Sequence, residues 1–263
     1  VARASRPSRN IPWSWAIAGG LLGLFVALVV FAPARWLTDA VATASRGQVL
    51  LAEPRGTLWN GSARLVLTGG QGSTDASALP GRLAWQLAPR WDGAAVQLFA
   101  DCCTQQPLAV RVRWRLAGWQ LQAGDGVSQW PASVLAGLGT PWNTLQLEGE
   151  VHLATQGLSV EWVEGRPRVG GRAELQALRV ASRLSTLRPM GSYRITLQGG
   201  TQATLRLDTL EGSLQLSGTG QWVGERLHFQ GAASAVAGSE AALANLLNII
   251  GRRTGERSII SIG

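Results

Sequence analysis

Lysine is absent: all 24 basic residues of this 263-residue chain are arginine. That removes Walker-type phosphate loops, lysine Schiff bases and lysine general bases from consideration. Histidine is nearly absent too. His152 and His228 each sit inside a strand-like pattern with no Cys or His at ligand spacing, which reads as two sheet-surface imidazoles and no metal centre. There is no G-x-S-x-G elbow to raise a nucleophilic serine. Gly218-x-Gly220 with Gly224 imitates a dinucleotide loop, but no helix follows it. Glu148 and Glu150 flank Gly149 on one strand face, and Glu161 and Glu164 close the next. A carboxylate pair is the minimum for glycoside hydrolysis, yet alternating Glu is what any wet sheet face carries. No catalytic, cofactor-binding or metal-binding residues emerge, and the chain reads as a non-enzyme.

The formal charge is +8, but the arginines are spread singly along strands. Neither a basic patch nor an arm forms, so nucleic acid is not an expected partner. Cysteine is limited to the adjacent Cys102 and Cys103, in the turn-like Asp101-Cys-Cys-Thr-Gln-Gln-Pro107. Neighbouring Cα atoms lie about 3.8 Å apart, below the usual disulfide range, so a vicinal bridge is strained. Two readings stay open: a pair of free thiols in a hairpin loop, or a vicinal disulfide. On either, a ring this small constrains almost no chain and is expected to add little stability.

Long apolar runs are also scarce, and the single exception matters most. Ala16 to Ala32 carries no charge over seventeen residues, the lower limit for a transmembrane helix. A helix from Trp13 to Trp36 rises about 34 Å against roughly 30 Å of bilayer hydrocarbon. Trp13 and Trp15 then mark one interface and Trp36 the other. Arg3, Arg6 and Arg9 precede the run without an acidic residue, which keeps the N-terminus cytoplasmic. The alternative is a cleaved signal peptide ending at Ala32-Pro33-Ala34, but the apolar core exceeds the usual ~7–15 residues. The expectation is a single-pass inner-membrane protein: a stub and anchor over 1–35, and an exported, periplasmic domain over 36–263.

Beyond the run the period changes. A short helix is predicted from Leu37 to Ser45, stopped by Gly47. Strict alternation then marks strands at 63–67, 82–87, 109–116, 145–153, 158–163, 171–180, 192–197, 204–207, 214–217 and 226–230. Turns are expected at Gly69-Gly70, Gly124-Asp-Gly126 and Gly199-Gly200, and Asn60-Gly-Ser62 reads as a hairpin turn rather than a glycan acceptor. Two helices interrupt: one around 131–138, and one over 240–250 with Ser239 as N-cap and Gly251 as stop. The fold class is all-β: a strongly twisted antiparallel sheet, curled or folded over, with a few short helices. The stretch 131–141 is the candidate junction between two halves. Most of the twelve tryptophans are expected to be core or cross-strand packing residues. Leu243, Leu246, Leu247 and Ile250 form one apolar helical stripe that must be covered.

The C-terminal segment Leu246-Leu-Asn-Ile-Ile-Gly-Arg-Arg-Thr-Gly-Glu-Arg-Ser-Ile-Ile-Ser-Ile-Gly263 resembles the ending of the type II secretion system protein N family. Three more segments resemble that family in the same order: Arg55-Gly-Thr-Leu-Trp-Asn-Gly-Ser62, Leu138-Gly-Thr-Pro-Trp-Asn-Thr-Leu145 and Leu187-Arg-Pro-Met-Gly-Ser-Tyr-Arg194. The resemblance implies a secretion-machine component whose partners are the outer-membrane secretin and the inner-membrane platform proteins. It lends no catalytic residues. Arg252, Arg253 and Arg257, around the last turn, are the candidate partner-docking corner. A second reading comes from the alternation alone: a tethered lipid carrier, whose one-sided sheet forms an apolar groove. The two differ in whether the apolar side chains meet a second layer or an open cavity.

Overall fold

The computed structural model describes residues 13–115, 118–163, 166–224 and 226–263. Arg3, Arg6, Arg9 and Glu164 lie outside the described residues. Helices α1 (Trp13–Val30) and α2 (Arg35–Ala44) lead into strands β1 (Val49–Gly56), β2 (Asn60–Thr68), β3 (Ala76–Ala78) and β4 (Leu83–Arg90). Next come β5 (Gly93–Ala100), β6 (Leu108–Arg115), β7 (Gly118–Ala123) and β8 (Gly126–Pro131). A 3₁₀ segment (Ala132–Leu138) and α3 (Trp142–Leu145) precede β9 (Glu148–Val163), β10 (Arg166–Ala181), β11 (Gly191–Gln198) and β12 (Thr204–Gly212). The chain ends with β13 (Leu214–Val223), β14 (Arg226–Ala235), α4 (Glu240–Ile250), β15 (Arg252–Thr254) and β16 (Arg257–Ile262).

All sixteen strands join one antiparallel sheet, in the order β1-β2-β4-β5-β6-β7-β9-β10-β11-β12-β13-β14-β16-β15. β3 adds to β2 and β8 to β9. The order ends in β1 and β15, so the sheet is not closed. It runs unbroken past 131–141, because β7 and β8 pair with different stretches of the same strand, β9. β9 and β10 are each sixteen residues long, where two separate strands were predicted over 145–163. The chain bends instead of stopping: Gly157 and Gly171 have positive φ at a register shift between the two strands. Leu145 and Gln146 drop out of the predicted strand because they close α3, with Gln146 left-handed.

The N-terminal helix departs from expectation. Among the described residues no helix is long and apolar enough to cross a membrane. The continuous rod from Trp13 to Trp36 is interrupted at Pro33, whose ring disfavours helical backbone at Ala32. Its eighteen residues in α1 rise only about 27 Å. Ala32 and Ala34 are buried, and Pro33 bridges to Thr57 beside the β1–β2 turn. Trp36 therefore belongs to α2 and does not end a single span. Every described residue of α1 is exposed.

Alternation places one row of apolar side chains along a single face of the sheet. By strand pairing and alternation that face carries Leu65, Leu83, Leu98, Val110, Leu121, Val160, Leu175, Ile195, Leu207 and Leu216. Three buried clusters cover parts of this face. Beneath α2 lie Ala63 and Trp85, the latter 2 % exposed. The 3₁₀ segment sets Val134 on Leu79, Ala100 and Cys103. α4 sets Leu243, Leu246 and Leu247 on Tyr193, Leu214 and Ala233, covering the stripe by ordinary hydrophobic burial. Ser239 makes no side-chain cap bond. Gly251 is extended rather than left-handed, and a Cβ there would meet the Ile259 carbonyl at 2.4 Å. The helix stops at Gly251 as predicted, and the residue's smallness also permits this close backbone approach.

Candidate interaction surface

The polar face consumes its charges pairwise. Glu150 pairs with Arg179, Glu148 with Arg188, and Asp208 with Arg206. Glu174 sits between Arg172 and Arg194, at 2.8 and 3.0 Å. A hydrogen bond from Gln176, with those two guanidiniums, holds its carboxyl below the usual carboxylate range. Burial pushes the Tyr193 phenol up, so it stays protonated and donates to the Leu214 carbonyl. His152 lies 3.4 Å from Glu150, whereas His228 is exposed five strands away in sheet order. Among the described residues no group of three His, Cys, Asp or Glu could hold a metal.

Cys102 and Cys103 are bonded to each other in the turn after β5. The loop expected from sequence is present as this turn, and it packs into the fold. Cys103 is 5 % exposed and packs against Leu79, Ala100 and Val134. Its carbonyl accepts from the Gln129 amide at 2.8 Å, tying the turn to β8.

The three arginines of the last turn are exposed but do not converge. Thr254 faces Arg257 across the β15–β16 ladder. Since side chains alternate along a strand, Arg252 and Arg257 share the polar face while Arg253 points to the other. Arg253 reaches back to the Gly255 carbonyl and to Asn248 of α4. Arg257 lines a cleft with Asp208, Gln215 and Ser234.

Three of the four ordered segments that carry the family resemblance meet in the α4 cluster, through Leu145, through Met190 and Tyr193, and through Leu246 and Leu247, while Arg55–Ser62 lies apart from it. Each finishes a seam between the sheet and what covers it. In Arg55–Ser62, Trp59 donates to the Val29 carbonyl at 2.7 Å, and the Leu58 carbonyl accepts from Trp85 at 3.0 Å. Gly61 is required there: a Cβ would lie 2.5 Å from the Trp85 ring. In Leu138–Leu145, Asn143 donates to Asp75, and the Leu145 carbonyl accepts from buried Ser182. Leu187–Arg194 supplies Met190 and Tyr193 to the α4 cluster, and Ser258 of the final strand donates to the Leu247 carbonyl.

A family model described as type II secretion system (T2SS), protein N, matches residues 47–260, nearly the whole sheet. The chain belongs to this family. It is therefore a component of the type II secretion system, and family membership implies interaction with other components of that system. No curated protein and no solved structure matches the chain. Within this family member, the feature that sequence reasoning missed is where the tryptophans go. Trp85 alone is fully buried, while Trp91 is 98 % and Trp114 69 % exposed. Trp91 occupies the β4–β5 turn, and Trp114, Trp119 and Trp162 lie opposite one another on β6, β7 and β9. The Trp119 and Trp162 rings stack with centroids 3.9 Å apart. Beside them on the same face, Val96, Val112, Leu121 and Val160 are half-buried and belong to none of the three clusters. The signal for this lay in Arg90-Trp91-Asp92-Gly93, a turn sequence with an indole at its tip.

Proposed function

We propose that this protein is a non-catalytic, inner-membrane-anchored part of the secretion machine, whose exported sheet binds the outer-membrane secretin or the inner-membrane platform proteins. The observation that carries this reading is the family match across residues 47–260, the entire sheet but the last two residues of β16. α1 is the anchor. Its described side chains are apolar and exposed, a state that is costly in water and favourable in lipid. A helix of about 27 Å is slightly shorter than the hydrocarbon, a mismatch the bilayer meets by local thinning at modest cost. Residues 1–35 then form stub and anchor, and the rest stands in the periplasm. The polar face, with Arg252 and Arg257 at its far edge, is the docking face for protein partners.

The test is cross-linking in intact cells with photoreactive residues at positions 64, 111 and 252. By strand alternation all three share the polar face. Capture of the secretin or a platform protein supports the reading. Capture of neither, in a strain that secretes normally, counts against it. A second reading, the lipid carrier, draws on the half-buried stretch around Val112 and Leu121. It predicts that the same chemistry at position 112 captures phospholipid, and that purified protein carries acyl chains.

A further inference from the structure

The end of α1 is fastened to the sheet without slack. The Val29 carbonyl accepts from Trp59, the Ala32 carbonyl accepts from the Leu58 amide at 2.8 Å, and the Trp59 carbonyl accepts from the Leu87 amide at 2.7 Å. Leu87 lies on β4, and three residues farther along that strand is Arg90, about 10 Å at the rise of an extended chain. There the β4–β5 hairpin ends in Trp91 and Asp92. Adjacent ends line up with it in register: the Trp114 amide donates to the Asp92 carbonyl, Trp114 faces Trp119, and Trp119 faces Trp162. The helices and long loops that cover the apolar face, other than α2, lie toward the other ends of these strands.

These hairpin ends are unusual for a surface in water. Trp91 and Trp114 are mostly exposed and Trp119 is 37 % exposed; with apolar neighbours behind them they form the kind of patch that marks an interaction site. Trp is the residue most at home in the headgroup layer, with its ring in the acyl boundary and its N–H in water. Arg90, Arg111, Arg113 and Arg115 stand on the same hairpins, against Asp92, which pairs with Arg113. The local excess is positive and suits the phosphates of anionic lipid.

We infer that the hairpin ends bearing Trp91, Trp114 and Trp119 rest in the anionic headgroup layer of the membrane that holds α1, so that the sheet stands edge-on upon the bilayer. This rests on the reading of α1 as an anchor. The occupant is a phospholipid surface. The indoles take the interface, and Arg90 and Arg115 take phosphates.

The experiment uses the full chain in vesicles of phosphatidylglycerol and phosphatidylethanolamine. A photoreactive benzophenone amino acid replaces Trp91, Trp114 or Glu256 in turn. Glu256 lies on the β15–β16 turn, at the opposite ends of the strands, and is the reference. Phospholipid adducts at 91 and 114 are expected about tenfold above those at 256. Adducts no stronger than at 256, in protein that resists alkaline extraction, overturn the docking and leave the anchor standing. Release of the protein by alkali overturns the anchor reading, and the inference with it. Trp91 is so exposed that replacing it leaves the fold intact, so a negative result at that position is not one of misfolding.

Discussion

The two ends of the apolar sheet face carry the same alternation of Leu and Val but are finished in opposite ways. At one end, Leu214, Ala233 and Tyr193 meet a second layer made by α4, and Leu79 and Ala100 meet the 3₁₀ segment. At the other, Val112, Leu121 and Val160 stay half-buried beneath a line of tryptophans. Alternation requires only that one face be dry. It does not say whether protein or something else keeps it dry. The lidded end answers that question within the chain. The hairpin end leaves it to a partner phase, for which a bilayer is our candidate.

The largest expected effect comes from taking a lid away. Truncation before Ser239 removes α4, β15 and β16 together, exposing Leu214 and Ala233 and leaving β14 as a bare edge. The product should aggregate or fall to limited proteolysis; a soluble, resistant product would break the distinction between the ends. Next comes the contrast between two indoles of one strand and its turn. Trp85→Ala removes a buried ring and should cost about 3–5 kcal/mol by urea unfolding. Trp91→Ala should stay within about 0.5 kcal/mol of wild type. Equal losses would mean that the hairpin end is packed after all. The smallest contrast lies within the vicinal pair. Cys102→Ser changes an exposed atom, whereas Cys103→Ser puts a hydroxyl among Leu79, Ala100 and Val134. We expect about 1–3 kcal/mol for the second and less for the first, both measured under reducing conditions so that loss of the bridge is common to both.

What could be read in advance followed the strength of each local signal. Leu243, Leu246 and Leu247 fall at helical spacing and are buried together. Strand Ala63–Leu67 alternates cleanly and lies within β2, and Arg82–Leu87 matches β4 from Leu83 onward. β5 is harder to see, because Gly93-Ala-Ala-Val-Gln-Leu-Phe-Ala100 has apolar residues on both faces. The bend at Gly157 imitated a strand end because glycine marks turns and bulges alike. The seams that join the lids to the sheet were invisible for another reason. That Arg55–Ser62 clasps the end of α1, or that Asn143 reaches Asp75, depends on contacts between segments far apart in the chain. Trp91 and Trp85 are the same residue type six positions apart, and only the register of the hairpin separates a core ring from a bare one.

The order of strands in space follows the order of strands in time. From β4 to β7, and again from β9 to β14, each strand pairs with the one made just before it. A chain delivered N-terminus first can thus settle hairpin by hairpin, with no strand waiting for a distant mate, the low-separation contact pattern that speeds folding. At each stage such a growing sheet offers its newest strand as the single advancing edge, and unpaired edges are where unfinished chains associate wrongly. The starting edge is blunted by Pro54 and a register shift in β1. The advancing edge is retired last, when the three-residue strand β15 folds back on β16. Completion of the C-terminal hairpin is the event that makes the sheet safe among its neighbours.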